Sequence, residues 1–186
     1  MPDVNDHLRN HRKGLREATE KSRFVVFLCG PALSDATSKP SAELRSRLFS
    51  LLKDNGFDVV LGEDDGLEEA RLEVGLNAQD NELEFIRKYC DAVVVIADSV
   101  GSFCELGLFS WHYVHETGVI DHKKDFILLV DKKYAAENSY LNAGPFQSVF
   151  GFGQALFVQF RDYSGDEILK RLTARKSVQA IDRPNN

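Results

Sequence analysis

One carboxylate in this chain stands where a reacting group is expected. Glu105 lies in ADSVGSFCELG, residues 97–107, directly after the apolar run AVVVIA. Gly101 has no side chain, so a ligand can come close to the backbone there. Ser102 then opens a helical pattern whose free N–H groups favour an anion. On this spacing Glu105 falls in the first helical turn, where the positive helix end holds a carboxylate ionised. That state suits a nucleophile or an electrostatic stabiliser. The Ser102-x-x-Glu105 spacing is equally that of a capping box, with Glu105 reaching back to the Ser102 N–H. Both readings stand on spacing alone.

Other residues carry weaker signals. In CGPAL, residues 29–33, Gly30 permits a tight turn and Pro31 stiffens the exit, so Cys29-Gly30-Pro31 could cradle a sugar or phosphate. The sequence contains neither G-x-G-x-x-G nor G-x-x-x-x-G-K-[ST], which excludes a dinucleotide fingerprint and a P-loop. The acids Glu63, Asp64, Asp65, Glu68 and Glu69 could hold a divalent cation or accept hydrogen bonds from a ribose, but such runs are commonly a solvated surface. Asp80, Glu82 and Glu84 are read in the same way. His112 and His115 lack a third ligand at a fixed spacing, and Cys104 shows no base beside it, so no metal, cofactor or thiolate chemistry is expected. Phe109, Trp111 and Tyr113 read as core or subunit interface.

The elements that position these residues follow from periodicity. FVVFLCG, FDVVL, AVVVIA, FILLV and ALFVQF are short apolar runs of strand type. Between them lie helical patterns through Leu44, Leu48 and Leu52, through Leu83, Ile86 and Tyr89, and from Ser102 to Gly118. A further helix is expected over Ser164 to Lys176, whereas residues 62–82 read as a long loop with room for one short helix and 139–153 as a loop. Strand and helix alternate, which predicts a flavodoxin-like, doubly wound α/β fold with a parallel five-stranded sheet in the order 2-1-3-4-5. In such sheets a ligand sits beyond the strands' carboxyl ends, near the switch point between strands one and three. The organisation expected is a helical extension over 1–22, one α/β domain over 23–176 and a tail over 177–186.

At 186 residues the chain has room for one core. A net charge of −6 offers no field for phosphate backbones or anionic lipid, so neither direct nucleic-acid binding nor a membrane surface is expected. No apolar stretch is long enough to span a bilayer, the polar start lacks a secretory signal, and three cysteines without a CxxC pair fit reduced thiols. A cytoplasmic location is expected.

Three segments in order carry a resemblance. Cys-Gly-Pro at 29–31, Arg-Lys-Tyr-Cys-Asp at 87–91 and Gly-Ser-Phe-Cys-Glu-Leu-Gly at 101–107 resemble the nucleoside 2-deoxyribosyltransferase family over residues 24–130. That family has a strand ending in Ala-Gly-Pro, a Cys-Asp or Ser-Asp pair before the third strand, and a Gly-Thr-x-x-Glu-x-Gly segment that supplies the catalytic glutamate. The resemblance implies Glu105 as nucleophile at the anomeric carbon, with Cys29, Gly30, Pro31, Asp98, Ser99, Gly101 and Ser102 at the substrate. Ser102 replaces the usual threonine. Family members place Asp just before Gly-Thr, whereas this chain has Ser99-Val100 there and Asp98 one step earlier, so Asp98 either substitutes or orients the loop. Family sites are completed by a neighbouring subunit, which implies a homo-oligomer, and Asn142 is assigned that part.

The glutamate segment also resembles bacterial TIR domains that cleave NAD. Deoxyribosyltransferase-like domains serve as effectors in bacterial anti-phage systems, retron-associated toxins included. The function implied is therefore an N-glycosidase that cleaves the base–ribose bond of NAD or a purine nucleotide, as a defence effector controlled by a partner protein. The alternative is a non-catalytic nucleotide sensor that signals to a partner through the N-terminal helix.

Overall fold

The computed structural model describes residues 3–63, 69, 77–115 and 124–182. Asp64, Asp65 and Glu68, the expected helix end at Gly118, and the side chains of His112, Tyr113 and His115 lie outside what is described.

Five strands form one parallel sheet: β1 Val25–Cys29, β2 Asp58–Leu61, β3 Ala92–Ala97, β4 Asp125–Asp131 and β5 Gln154–Val158. Their order is β2-β1-β3-β4-β5, as alternation of apolar runs with helices predicts. Every residue of β1 and β3 is buried, which is why these strands read as unbroken apolar runs. Val26 pairs with Ala92 and Cys29 with Val95, so the ends of β1 and β3 meet at the switch point.

Helices cover both faces. On one side pack α2 (Pro40–Asp54), through Leu44, Leu48 and Leu52, and the C-terminal helix α7 (Asp166–Asp182), through Ile168 and Leu172. On the other side pack α3 (Ala78–Tyr89), through Leu83 and Ile86, and α4 (Val100–His115), through Leu106 and Phe109. The N-terminal helix α1 (Val4–Lys21) buries no residue and lies along α7, with Thr19 Oγ1 3.1 Å from Ser177 Oγ. Among the described residues no helix is long and apolar enough to cross a membrane.

Two expectations are corrected. Residues 139–153 are not a plain loop, because α5 (Tyr140–Ala143) and α6 (Pro145–Phe152) occupy most of them. Pro145 begins α6, where a missing N–H costs nothing, and Phe146 and Val149 are buried beneath it. The last helix runs from Asp166 to Asp182 rather than stopping at Lys176, since Ser177 and Gln179 bond to α1 and to Asp91. Ser164 Oγ accepts from the Asp166 N–H at the start of this helix, and Glu167 accepts from Gln154.

Candidate functional site

The helix that carries Glu105 starts earlier than its sequence spacing implies. Ser99 N donates to Ser102 Oγ at 2.9 Å, and Ser102 N donates to Ser99 Oγ at 3.2 Å. This reciprocal pair is a cap built by two serines, with Ser102, 2% exposed, inside the helix. The Ser102-x-x-Glu105 capping box is therefore overturned. Glu105 is the sixth residue of α4, beyond the first turn, and its Oε2 is buried with no hydrogen-bond partner among the described residues.

Glu105 faces groups brought from four other places. Arg45 reaches from α2, Glu63 follows β2, Glu82 lies on α3 and Cys29 ends β1. Arg45 is the hub of this cluster. It is 1% exposed and donates to Leu28 O from Nη2 at 2.7 Å and from Nε at 3.2 Å. It also donates to Pro31 O at 3.1 Å, and its fork grips Glu63 at 2.6 and 2.7 Å. Glu82 stands against Gly62, where an added Cβ would lie 3.0 Å from Glu82 Oε1. Gly30 serves the same crowding. A Cβ there would sit 3.3 Å from Arg45 Cδ and 3.2 Å from Ile96 Cβ, so a glycine is what lets the guanidinium stem pass.

Burial and like charge set the protonation of these acids. Burial, then the Glu82 and Glu63 charges against the opposing Arg45 cation, push the Glu105 carboxyl up to about 7. The sequence reading of a carboxylate kept ionised by the helix end is corrected accordingly, because desolvation outweighs a dipole that fades beyond the first turn. Burial and Glu63 likewise raise Glu82, while burial above all, with Glu105 and Glu82, raises the Cys29 thiol well beyond its usual range. Cys29 is thus a neutral wall of the site. Among the described residues no group of three metal-ligating side chains is arranged to hold an ion.

The remaining predicted residues divide. Pro31 joins the cluster through its carbonyl. Asp98 accepts from Ser41 Oγ at 2.8 Å and from Lys133 Nζ at 3.2 Å, so both of its oxygens are engaged in holding the loop after β3. Gly101 is exposed, and a Cβ there would meet nothing within 4 Å. Asn142 Nδ2 ties the Tyr134 and Glu137 carbonyls at 2.7 Å each, and its Oδ1 is buried without a partner among the described residues. Asp91 of the Cys-Asp pair joins strand starts and α7, accepting from Val25 N at 2.8 Å and Gln179 Nε2 at 2.6 Å. Glu69 is exposed. Arg45 was not singled out from sequence, although its signal was present: a charged residue beside Leu44 and three before Leu48, on a face that is otherwise apolar.

A hollow of about 490 Å³ opens at the other end of the sheet, between Val25, Cys90 and Lys124, near the strands' amino ends. Doubly wound sheets bind at the carboxyl ends, and the unpartnered carboxylate is there, so the Glu105 cluster is the better candidate.

Among solved structures the chain is similar to an azoreductase from Bacillus anthracis str. Sterne, at 12% identity, covering 87% of this chain and 97% of that one with a TM-score of 0.44. It is also similar to a flavodoxin-like domain from Synechococcus sp., at 11% identity, covering 85% and 96% with a TM-score of 0.37. The fold itself rests on the sheet order described above. No curated protein matches the chain. A family model described as STM3845 retron effector protein matches residues 42–184, well over half of the sequence. That match bears out the retron side of the resemblance and does not extend to its deoxyribosyltransferase or TIR side.

Proposed function

We propose that this chain, which belongs to the STM3845 retron effector family and so is a defence-system effector, acts as an N-glycosidase on NAD or a purine nucleotide. The observation that carries this reading is Glu105 Oε2, buried at the switch point of the sheet without a partner among the described residues. An orphaned buried oxygen costs stability, and a site tolerates that cost where a ligand supplies the missing contact.

In the proposed reaction the Glu105 carboxylate attacks the anomeric carbon. The carbon–nitrogen bond breaks and its electron pair leaves with the base. Water then attacks the glycosyl ester, releasing the sugar and restoring the carboxylate, so two displacements retain configuration. A carboxyl that titrates near 7 is substantially ionised at neutral pH, and it is poorly hydrated because it is buried. Activity is expected to rise with pH through that region, since only the anion attacks.

The test is to incubate the protein and its Glu105→Gln variant with NAD, ATP, dATP and deoxyadenosine, and to look by mass spectrometry for nicotinamide or adenine. Base released by the wild type alone supports the reading. Release by neither protein, with a thermal shift from one of these compounds, overturns it in favour of a nucleotide sensor.

A further inference from the structure

We propose that Arg45 is a positioning residue for the glycosidic step: its buried guanidinium clamps the loop after β1 to the end of β2 and stands as the fixed countercharge to Glu105. The inference rests on the reading of Glu105 as the reacting carboxylate.

The geometry goes beyond what packing requires. Arg45 sits on the apolar face of α2, where a methionine would fill the space without burying a charge. A buried cation is retained at a cost unless its donors are satisfied, and here three carbonyl contacts and both Glu63 oxygens meet the fork. The Leu28 carbonyl lies at the end of β1, the Pro31 carbonyl in the turn after it, and Glu63 in the turn after β2. One side chain thus ties the end of β1 and the turn after it to the turn after β2. Among the described residues that act on Glu105, namely Glu82 from α3, Glu63 after β2, Cys29 from β1 and Arg45 from α2, Arg45 alone is cationic. Without it the site would gather three acids with no balancing charge.

The experiment follows the Glu105 carboxyl directly. Protein labelled with ¹³C at glutamate side-chain carboxyls is titrated, with the Glu105 signal assigned as the one missing from Glu105→Gln. In Arg45→Met the Glu105 midpoint is expected to rise by about one pH unit, a tenfold change in ionised fraction. Arg45→Lys should bring it back toward the wild type, and Glu63→Gln should lower it. The rising limb of base release against pH should move with the midpoint, which a merely structural clamp would not cause. A midpoint unmoved by Arg45→Met overturns the inference. Should Arg45→Met not fold, Arg45→Gln, which keeps a hydrogen-bonding end without the charge, takes its place, and a midpoint unmoved in Arg45→Gln overturns the inference instead. Midpoints that move as expected while the wild type releases no base would leave the countercharge standing and remove the glycosidic reading.

Discussion

Glu105 is a group whose burial should oppose folding. Its folded-state carboxyl titrates near 7, above the ordinary 4.5. Between those values the unfolded chain has lost the proton that the folded chain keeps, so stability falls as pH rises through this window. Below 4.5 both states are protonated and the penalty vanishes, whereas above 7 it is complete. Glu105→Gln should therefore raise the melting temperature at pH 8, by on the order of 2 kcal/mol of stability, and leave it nearly unchanged at pH 4. Thermal melts at the two pH values check this, and a variant less stable at pH 8 would mean that the carboxylate has a stabilising partner. The residue itself was legible in the sequence, from its place after β3, but its charge state was not. Proximity to a helix start can be read from neighbouring letters. Glu82, Glu63 and Arg45 arrive from three separate elements, and no local pattern announces that they converge.

At the scale of elements, the strands were legible because burial on both faces leaves unbroken apolar runs, and the sheet order followed from alternation. Residues 139–153 were not, since their glycines suggest loop while their aromatics supply the apolar face of α6. Phe146 stacks on Phe157 with ring centroids 4.1 Å apart, a contact between α6 and β5 that only the fold reveals. Gly153 makes the turn between those two elements, and a Cβ there would fall 2.2 Å from Phe126 O on β4. Gly153→Ala should therefore force β5 away from β4 and cost about 1–3 kcal/mol in urea unfolding. Gly151 provides the contrast, being inside α6 with nothing within 4 Å of its added Cβ. Gly151→Ala should be neutral or stabilising by up to about 1 kcal/mol. Equal losses in both variants would place the cost in helix chemistry rather than in the approach to Phe126.

For the molecule as a whole, α7 fastens parts distant in sequence. Arg171 grips Asp125, at the start of β4, with two bonds of 2.6 Å, and Asp125 is 1% exposed. Lys176 donates to Gly56 O at 2.7 Å and lies over the Phe57 ring. Arg171 is 30% exposed and can turn to water, so Asp125→Asn loses the charged hydrogen bonds without stranding a buried cation and is expected to cost about 2 kcal/mol, read as a lowered denaturant midpoint. Because Asp125 lies at the amino end of β4 and Glu105 beyond the carboxyl end of β3, the base release proposed for the wild type should be unchanged per folded molecule in the variant. The position of α7 in the chain adds a consequence in time. A ribosome emits residues in order, at roughly 5–20 per second, and every strand emerges before this helix. The Gly56 turn, Asp91 and Asp125 must each wait for their partners, so a nascent chain carries its glutamate well before it can lock the scaffold around it. For a defence-system effector, the last strap to be made is also a delay.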